Sequence, residues 1–390
     1  MGGIAKHSLI DKYKEEFYEQ YKNSPSIISI APGRVNIIGE HTDYNKGFAI
    51  PTAIDRWILT LASIRNDQEV NIFSINYNRK IIFSLKNFDD KGELWERYVK
   101  GAIYIINKKY DLTRGFNIVI GGNIPIGFGM SSSAALEVSI VGAIFSLCGL
   151  EHDKYKILKI CNLLEKEVLG IKSGMLDQYA SIFSNKKQFL LIDFLKLEHS
   201  YINSNIKDSC WILINSMVSR ELMYSAYNQR VDECKNAIAL INQKTNKEYN
   251  LNSIDVDAIE LIKENKVLYK RLLHLITENK RVFKMRDAIL KGDLNTIGHL
   301  LSESHESLSK NYDVSCKEIE LIIELSRKHS GFYGGRIMGG GFGGCTINLI
   351  KADLKENFIS YVKDEFYNKY EYDIKIETIN FSSGLDIVTF

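Results

Sequence analysis

The stretch from Gly115 to Cys148 constrains the fold most. GFNIVIGGNIP has the pattern of a strand running into a turn. A loop rich in glycine and serine follows, and from Ser131 to Cys148 small and apolar residues dominate. A helix of that composition has no polar face for water, so it has to lie buried. The loop also sets backbone N–H groups and hydroxyls at a helix N-terminus, where the helix dipole favours an anion. No G-K-[ST] follows, which excludes a Walker A loop. An ordinary serine-capped helix after a glycine turn accounts for these residues equally well, so taken alone the segment leaves both readings open.

Strand and helix signals interleave along the rest of the chain, which makes the class α/β or α+β. Residues 8–22 read as an amphipathic helix. SIISIAPGRVNII, WILTLASI and VNIFSI read as strands, 95–109 and 153–169 as helices, and QFLLIDF as a strand. CWILINS opens a second set of elements. In it 219–243 and 256–305 are mainly helical with solvated Lys/Glu faces, CTINLI is a strand, and a helix and a terminal strand close the chain. The 390 residues suffice for two domains. LEHSYINSNIKDS, near 195–208, reads as the connection, which divides the chain into units of residues 1–200 and 201–390.

Composition bears on partners. Fifty basic residues face 48 acidic ones, and a net charge of +2 gives no reason to expect nucleic acid or an anionic membrane. The six cysteines are scattered without a C-x-x-C pair, which suits a reducing compartment and disfavours a disulfide framework or a zinc site. No window approaches 18 uncharged apolar residues. The expectation is a cytoplasmic monomer.

Two further motifs and one segment hold chemistry. APGRVNIIGEHTDYNKGFAIP, residues 31–51, packs Arg34, Glu40, His41, Asp43 and Tyr44 into eleven positions. That density of donors and acceptors suits a polyhydroxylated ligand, although a solvated polar loop would look similar. His41 and Asp43 could ligate a metal, but no further His or Cys stands nearby. In RIMGGGFGGCTINLI, Gly339, Gly341 and Gly344 satisfy G-x-G-x-x-G. A strand follows where a dinucleotide fold needs a helix, so that reading is rejected. Tight backbone approach or a packed hairpin turn remains. In ICNLLEKEVLGIKSGMLDQYA, Glu165 and Asp177 would each pass for a surface charge if met alone.

The 31–51 segment closely resembles the signature of galactokinases, and the Ser-rich and Gly-rich loops resemble the other shared motifs of the GHMP kinases. Order and spacing match, and so do stretches such as LWERYVKGAI and ENKRVFKMRDAILKGDLNTIGHLL. The resemblance implies a two-lobed fold with the active site in the cleft between N- and C-terminal domains. It implies transfer of the γ-phosphate of ATP to the anomeric hydroxyl of galactose, giving galactose 1-phosphate and ADP, with Mg²⁺. It makes Asp177 and Arg34 catalytic, and Glu40, His41, Asp43, Gly174 and Tyr227 sugar-binding together with them. Trp95 packs on adenine, and Gly127, Gly129, Met130, Ser131, Ser132, Ser133 and Ala134 cradle the phosphates. Ser133 or Ser132, with Glu165, holds Mg²⁺. The chain departs from the usual pattern at Phe128, Met130, Ser173, the GGGFGGC loop and Arg97, the last bearing on nucleotide contacts. A kinase for arabinose, galacturonate or N-acetylgalactosamine would share this chemistry in a different pocket. A non-catalytic sugar sensor is the other alternative, against which SSSAA, Arg34 and Asp177 all stand intact.

Overall fold

A computed structural model describes residues 2–125, 127–150, 153–171, 173–218 and 223–390. The first half runs α1 (Gly2–Tyr21), β1 (Ile27–Ile38), β2 (Phe48–Ile64), β3 (Glu69–Ser74), β4 (Arg79–Ser84), α2 (Leu94–Tyr110), β5 (Phe116–Gly122), α3 (Ser132–Leu147), α4 (Lys154–Leu163), α5 (Leu176–Phe183), β6 (Gln188–Asp193) and β7 (Glu198–Asn203). The second half runs β8 (Ser209–Asn215), α6 (Met223–Thr245), α7 (Val256–Glu260), α8 (Lys266–Lys291), α9 (Leu294–Ser307), α10 (Lys317–Lys328), β9 (Phe332–Met338), β10 (Cys345–Lys351), α11 (Lys355–Tyr370), β11 (Lys375–Ile379) and β12 (Asp386–Thr389).

A larger sheet has the order β12-β1-β2-β5-β3-β4, with β6 and β7 continuing from one end of β2; a smaller one has the order β11-β8-β10-β9. The apolar α3 packs on β1 and β2 and against α2, α4 and α5, which encloses it as its composition requires. One hydrophobic core spans both halves: Val282, Met285 and Ile289 of α8 and Met338 and Ile347 of β9 and β10 join Ile37, Ala49 and Phe189. Among the described residues no helix is long and apolar enough to cross a membrane.

Several elements differ from the sequence reading. The 195–208 stretch contains a strand, β7, because Phe189↔Ile202 and Leu191↔Ser200 pair across a tight β6–β7 hairpin. The chain also returns to its starting sheet, with β12 pairing antiparallel to β1. The helical region 256–305 is cut into α7, α8 and α9 by Asp255, Asn265 and Asp293, each of which caps a helix N-terminus through its side chain. Gly292 supplies the left-handed turn between α8 and α9. Of the helix read over 219–243, residues 219–222 lie outside the described residues. The run read over 153–169 leaves α-helical geometry after Leu163 and widens into a π-type turn over 164–168.

Candidate active site

The 39–47 connection between β1 and β2 delivers Glu40, His41 and Asp43 to a polar cleft of about 90 Å³. Gly39 has φ +90, and a Cβ there would strike the backbone of Phe48 and Ala49. Glu40 pairs with Arg336 Nη1 at 2.7 Å. Arg336 is fully buried and also donates to the carbonyls of Asn36, Ile37 and Ile337. His41 is held at φ +64, its Nδ1 lies 2.9 Å from the Tyr44 hydroxyl and its ring packs on Tyr312. Its Nε2 is buried and has no hydrogen-bond partner among the described residues. Burial holds this imidazole well below its usual pKa, so it is neutral at pH 7. Burial first, and then the charge of Asp177, push the Asp43 carboxyl up to about 7. Gly174 allows its turn to lie against Asp43, where any side chain would collide with the carboxylate. Tyr227, on α6, packs its ring against His41 and Tyr44.

Arg34 reaches the same cleft from β1. The β1–β2 register shifts between Pro32 and Arg34, and such a bulge re-aims the following side chains. Arg34 Nε donates to Asp177 Oδ1 at 2.6 Å and Nη1 donates to the Gly129 carbonyl at 2.7 Å. Asp177 stands in the first turn of α5. Its other oxygen accepts from the Ser131 hydroxyl at 2.5 Å. One carboxylate thus ties together β1, the glycine–serine loop and α5.

In that loop Gly127, Gly129 and Ser131 all take left-handed backbone angles. Phe128 and Met130 are buried in the core and anchor it. Met130 presents its carbonyl, which accepts from the Arg34 amide at 3.0 Å, while its side chain faces inward. The α3 N-terminus begins at Ser132, and Ala134 is buried behind it. Ser132 and Ser133 line a second, mainly apolar cavity of about 160 Å³, with Tyr77, Trp95, Ile120 and Leu136. Trp95 stacks on Tyr77 at 5.2 Å, and its indole N–H donates to Glu93. Arg97 turns aside and donates to the Val168 carbonyl.

Glu165 lines the polar cleft, whereas Ser132 and Ser133 line the apolar cavity, so the residues expected to share a metal open onto different spaces. Glu165 accepts from the Ser173 hydroxyl. Burial, and then the Asp177 charge, push it up to about 7. Behind it stands Glu137, one turn beyond Ser133 on α3 and 1% exposed. Glu137 accepts from Gln178 through one oxygen, and among the described residues no N–H donor reaches its Oε1. Burial and the facing Glu165 hold it well above the usual carboxylate range. Among the described residues no group of three or more His, Cys, Asp or Glu side chains is placed to hold a metal ion; Glu165 and Glu137 offer a facing carboxylate pair, which suits a cation held mainly through substrate phosphates.

The glycine loop at 339–344 is the β9–β10 hairpin connection, with Cys345 paired to Met338. Gly339 and Gly340 line the polar cleft, while Gly341 packs closely on Val314. Both surviving readings of that motif therefore hold. Sequence reasoning missed Arg336, Glu137 and Tyr312. A signal existed for Arg336, an arginine inside an otherwise apolar strand directly before the glycines. None existed for Glu137 or Tyr312.

Three family profiles match the chain: the galactokinase galactose-binding signature over residues 15–64, the GHMP kinases N terminal domain over 97–185 and the GHMP kinases C terminal over 285–368. The galactokinase of Staphylococcus carnosus is 34% identical over 388 residues, covering 97% of this chain and 100% of its own length. The chain belongs to the galactokinase family. A second galactokinase, from Thermosipho africanus, is 35% identical over 355 residues, covering 91% of this chain and 98% of its own. The crystal structure of Lactococcus lactis galactokinase complexed with galactose superposes with a TM-score of 0.90 at 30% identity, covering 97% of this chain and 99% of that one. A mevalonate kinase structure, at TM-score 0.66 and 19% identity, shares the fold. This member of the galactokinase family is thus an ATP-dependent sugar kinase with the mixed α/β GHMP fold.

Proposed function

We propose that this chain transfers the γ-phosphoryl group of ATP to the anomeric hydroxyl of galactose, in the cytoplasm and as a monomer. The observation that carries the reading is the Arg34–Asp177–Ser131 unit, which joins the polar sugar cleft to the loop before α3. In this reading His41 Nε2 and the Asp43 and Glu40 carboxylates receive individual sugar hydroxyls, and Tyr227 backs them. The apolar cavity beside Trp95 takes the adenine, and the backbone N–H groups from Gly127 to Ala134 face the phosphates with the α3 dipole behind them.

Phosphoryl transfer needs mainly positioning and charge stabilisation from the protein. Asp177 orients the anomeric hydroxyl, held in place by two hydrogen bonds that leave lone pairs for the substrate. It accepts the proton late, because a loose transition state does not require an alkoxide early. Arg34 lies against both Asp177 and the loop, where negative charge gathers. Glu165 with Ser132 or Ser133 would hold Mg²⁺, with Glu137 behind Glu165, and the ion would supply neutralisation of phosphate charge.

An ADP-release assay over galactose, glucose, arabinose, galacturonate and N-acetylgalactosamine tests the assignment. Losing a directed hydrogen bond in a polar site costs a factor of about 10⁴, so kcat/KM should favour galactose over glucose by that order. Equal values would sink it, and galactose binding without ADP release would make the chain a sensor.

A further inference from the structure

Ten residues, Gly39–Phe48, carry Glu40, His41, Asp43 and Tyr44. The loop bonds to itself in its middle, where the amides of Asn45 and Gly47 donate to the Thr42 carbonyl and the Asn45 side chain donates to the His41 carbonyl. His41 keeps a left-handed backbone that a residue with a Cβ disfavours. The Thr42 hydroxyl lies 2.9 Å from the Gly39 carbonyl and 2.7 Å from the Phe48 carbonyl and pinches the loop by sharing its one proton between them. The amides of Gly39, Glu40 and Phe48 bond outside the loop, and their partners are two adjacent residues of α8.

Glu278 is fully buried. Its Oε1 accepts from the amides of Gly39 at 2.9 Å and Glu40 at 3.2 Å and from the Ser304 hydroxyl at 2.8 Å, while Oε2 accepts from Arg281 Nε at 2.8 Å. Burial is the largest single influence and works against the charge, but Arg281, His274 and Arg336 together outweigh it and hold the carboxyl down to about 2. Asn279 takes the far end of the loop, its Oδ1 accepting from the Phe48 amide at 2.9 Å. Its Nδ2 donates to Asn252, which in turn donates to the Lys46 carbonyl. One turn earlier His274 Nε2 donates to the Glu40 carbonyl at 3.2 Å. Neither Glu278 nor Asn279 lines the sugar cleft. A buried carboxylate is costly unless its bonds are all made, and here two of the four bonds go to the sugar loop.

We propose that Glu278 and Asn279 are positioning residues for sugar recognition: they grip the two ends of the 39–48 loop and so aim His41 Nε2 and the Asp43 carboxylate without touching the sugar. The proposal rests on the galactose reading of the cleft. It separates the two substrates, because the loop they hold faces the sugar and not the apolar cavity.

The test uses the full chain with Glu278→Gln, Asn279→Ala and Asn279→Asp, well below each variant's melting temperature. Asn279→Ala should raise the KM for galactose at least tenfold and leave the KM for ATP within about twofold, since the Phe48 amide loses its acceptor. Glu278→Gln keeps an oxygen for the Gly39 and Glu40 amides but sets its NH2 against Arg281, and should raise the KM for galactose in the same direction by a smaller factor. Asn279→Asp keeps the acceptor for the Phe48 amide but gives up the bond to Asn252, and should restore part of the galactose affinity lost in Asn279→Ala. A lower melting temperature with unchanged KM for galactose would overturn the proposal. So would an equal rise in both KM values, or no recovery in Asn279→Asp. If Glu278→Gln does not fold, the two Asn279 variants decide the question. If the wild-type chain prefers another sugar, the galactose reading fails separately, and the same split measured on that sugar still supports or overturns the grip.

Discussion

Replacing Asp43 by asparagine should make the unliganded protein more stable at pH 8 while it weakens galactose binding. The carboxyl is pushed from 3.8 to about 7 by burial and by the charges of Asp177 and Glu40. Between those two values the folded chain keeps a proton that the unfolded chain has released. Stability therefore falls as pH rises through that window and levels off above about 7. A difference of about three pH units, at about 1.4 kcal/mol each, sets an upper bound of about 4 kcal/mol. Asp43 opens partly onto the cleft, and solvent screening there brings the working figure to about 2 kcal/mol. The amide is isosteric and can still accept from the Leu176 amide, which lies 3.4 Å away. Urea unfolding of both proteins without sugar at pH 8, 6 and 4.5 should show a gap of about 2 kcal/mol that closes towards the lowest pH. Calorimetric titration at pH 8 should show galactose affinity reduced at least tenfold, as a hydrogen bond to a charged acceptor is worth about 1.5–3 kcal/mol. A variant no more stable than wild type at pH 8, or a gap that persists unchanged at pH 4.5, would refute the reasoning.

Three other substitutions probe the site. Asp177→Asn should lower kcat by about 10² or more with little change in galactose affinity; combined with Ser131→Ala it should cost less than the sum of the single losses, because the two side chains share a hydrogen bond. Near-wild-type kcat in Asp177→Asn would remove this residue from the chemistry. Glu165→Gln should raise the Mg²⁺ concentration for half-maximal rate and leave galactose binding alone, since a neutral amide is a poorer ligand for a hard cation; an unchanged midpoint moves the ligand role elsewhere. Trp95→Ala should raise the KM for ATP roughly fivefold, as stacking is worth on the order of 1 kcal/mol. A fall in melting temperature with KM for ATP unchanged would make Trp95 a core residue braced by Tyr77.

Features set by near neighbours were legible in the sequence. The burial of α3 follows from its own apolar composition, and the conformation of the 127–131 loop follows from its glycines. The strand after Gly344 was enough to reject a dinucleotide site. The resemblance to galactokinases then brought Arg34 and Asp177 together, 143 positions apart. Tertiary structure alone decided the partners of the charged groups. Glu40 meets Arg336 across 296 positions, the Gly39 amide meets Glu278 across 239, and Ser131 spends its hydroxyl on Asp177. It also decided that β12 closes on β1 and that 198–203 forms a strand. The physical reason is range. Backbone preference and apolar patterning act over a few residues and leave a local signature. A buried charge or an edge strand is satisfied by whichever group the completed fold brings to it, and nothing beside it in the chain names that group.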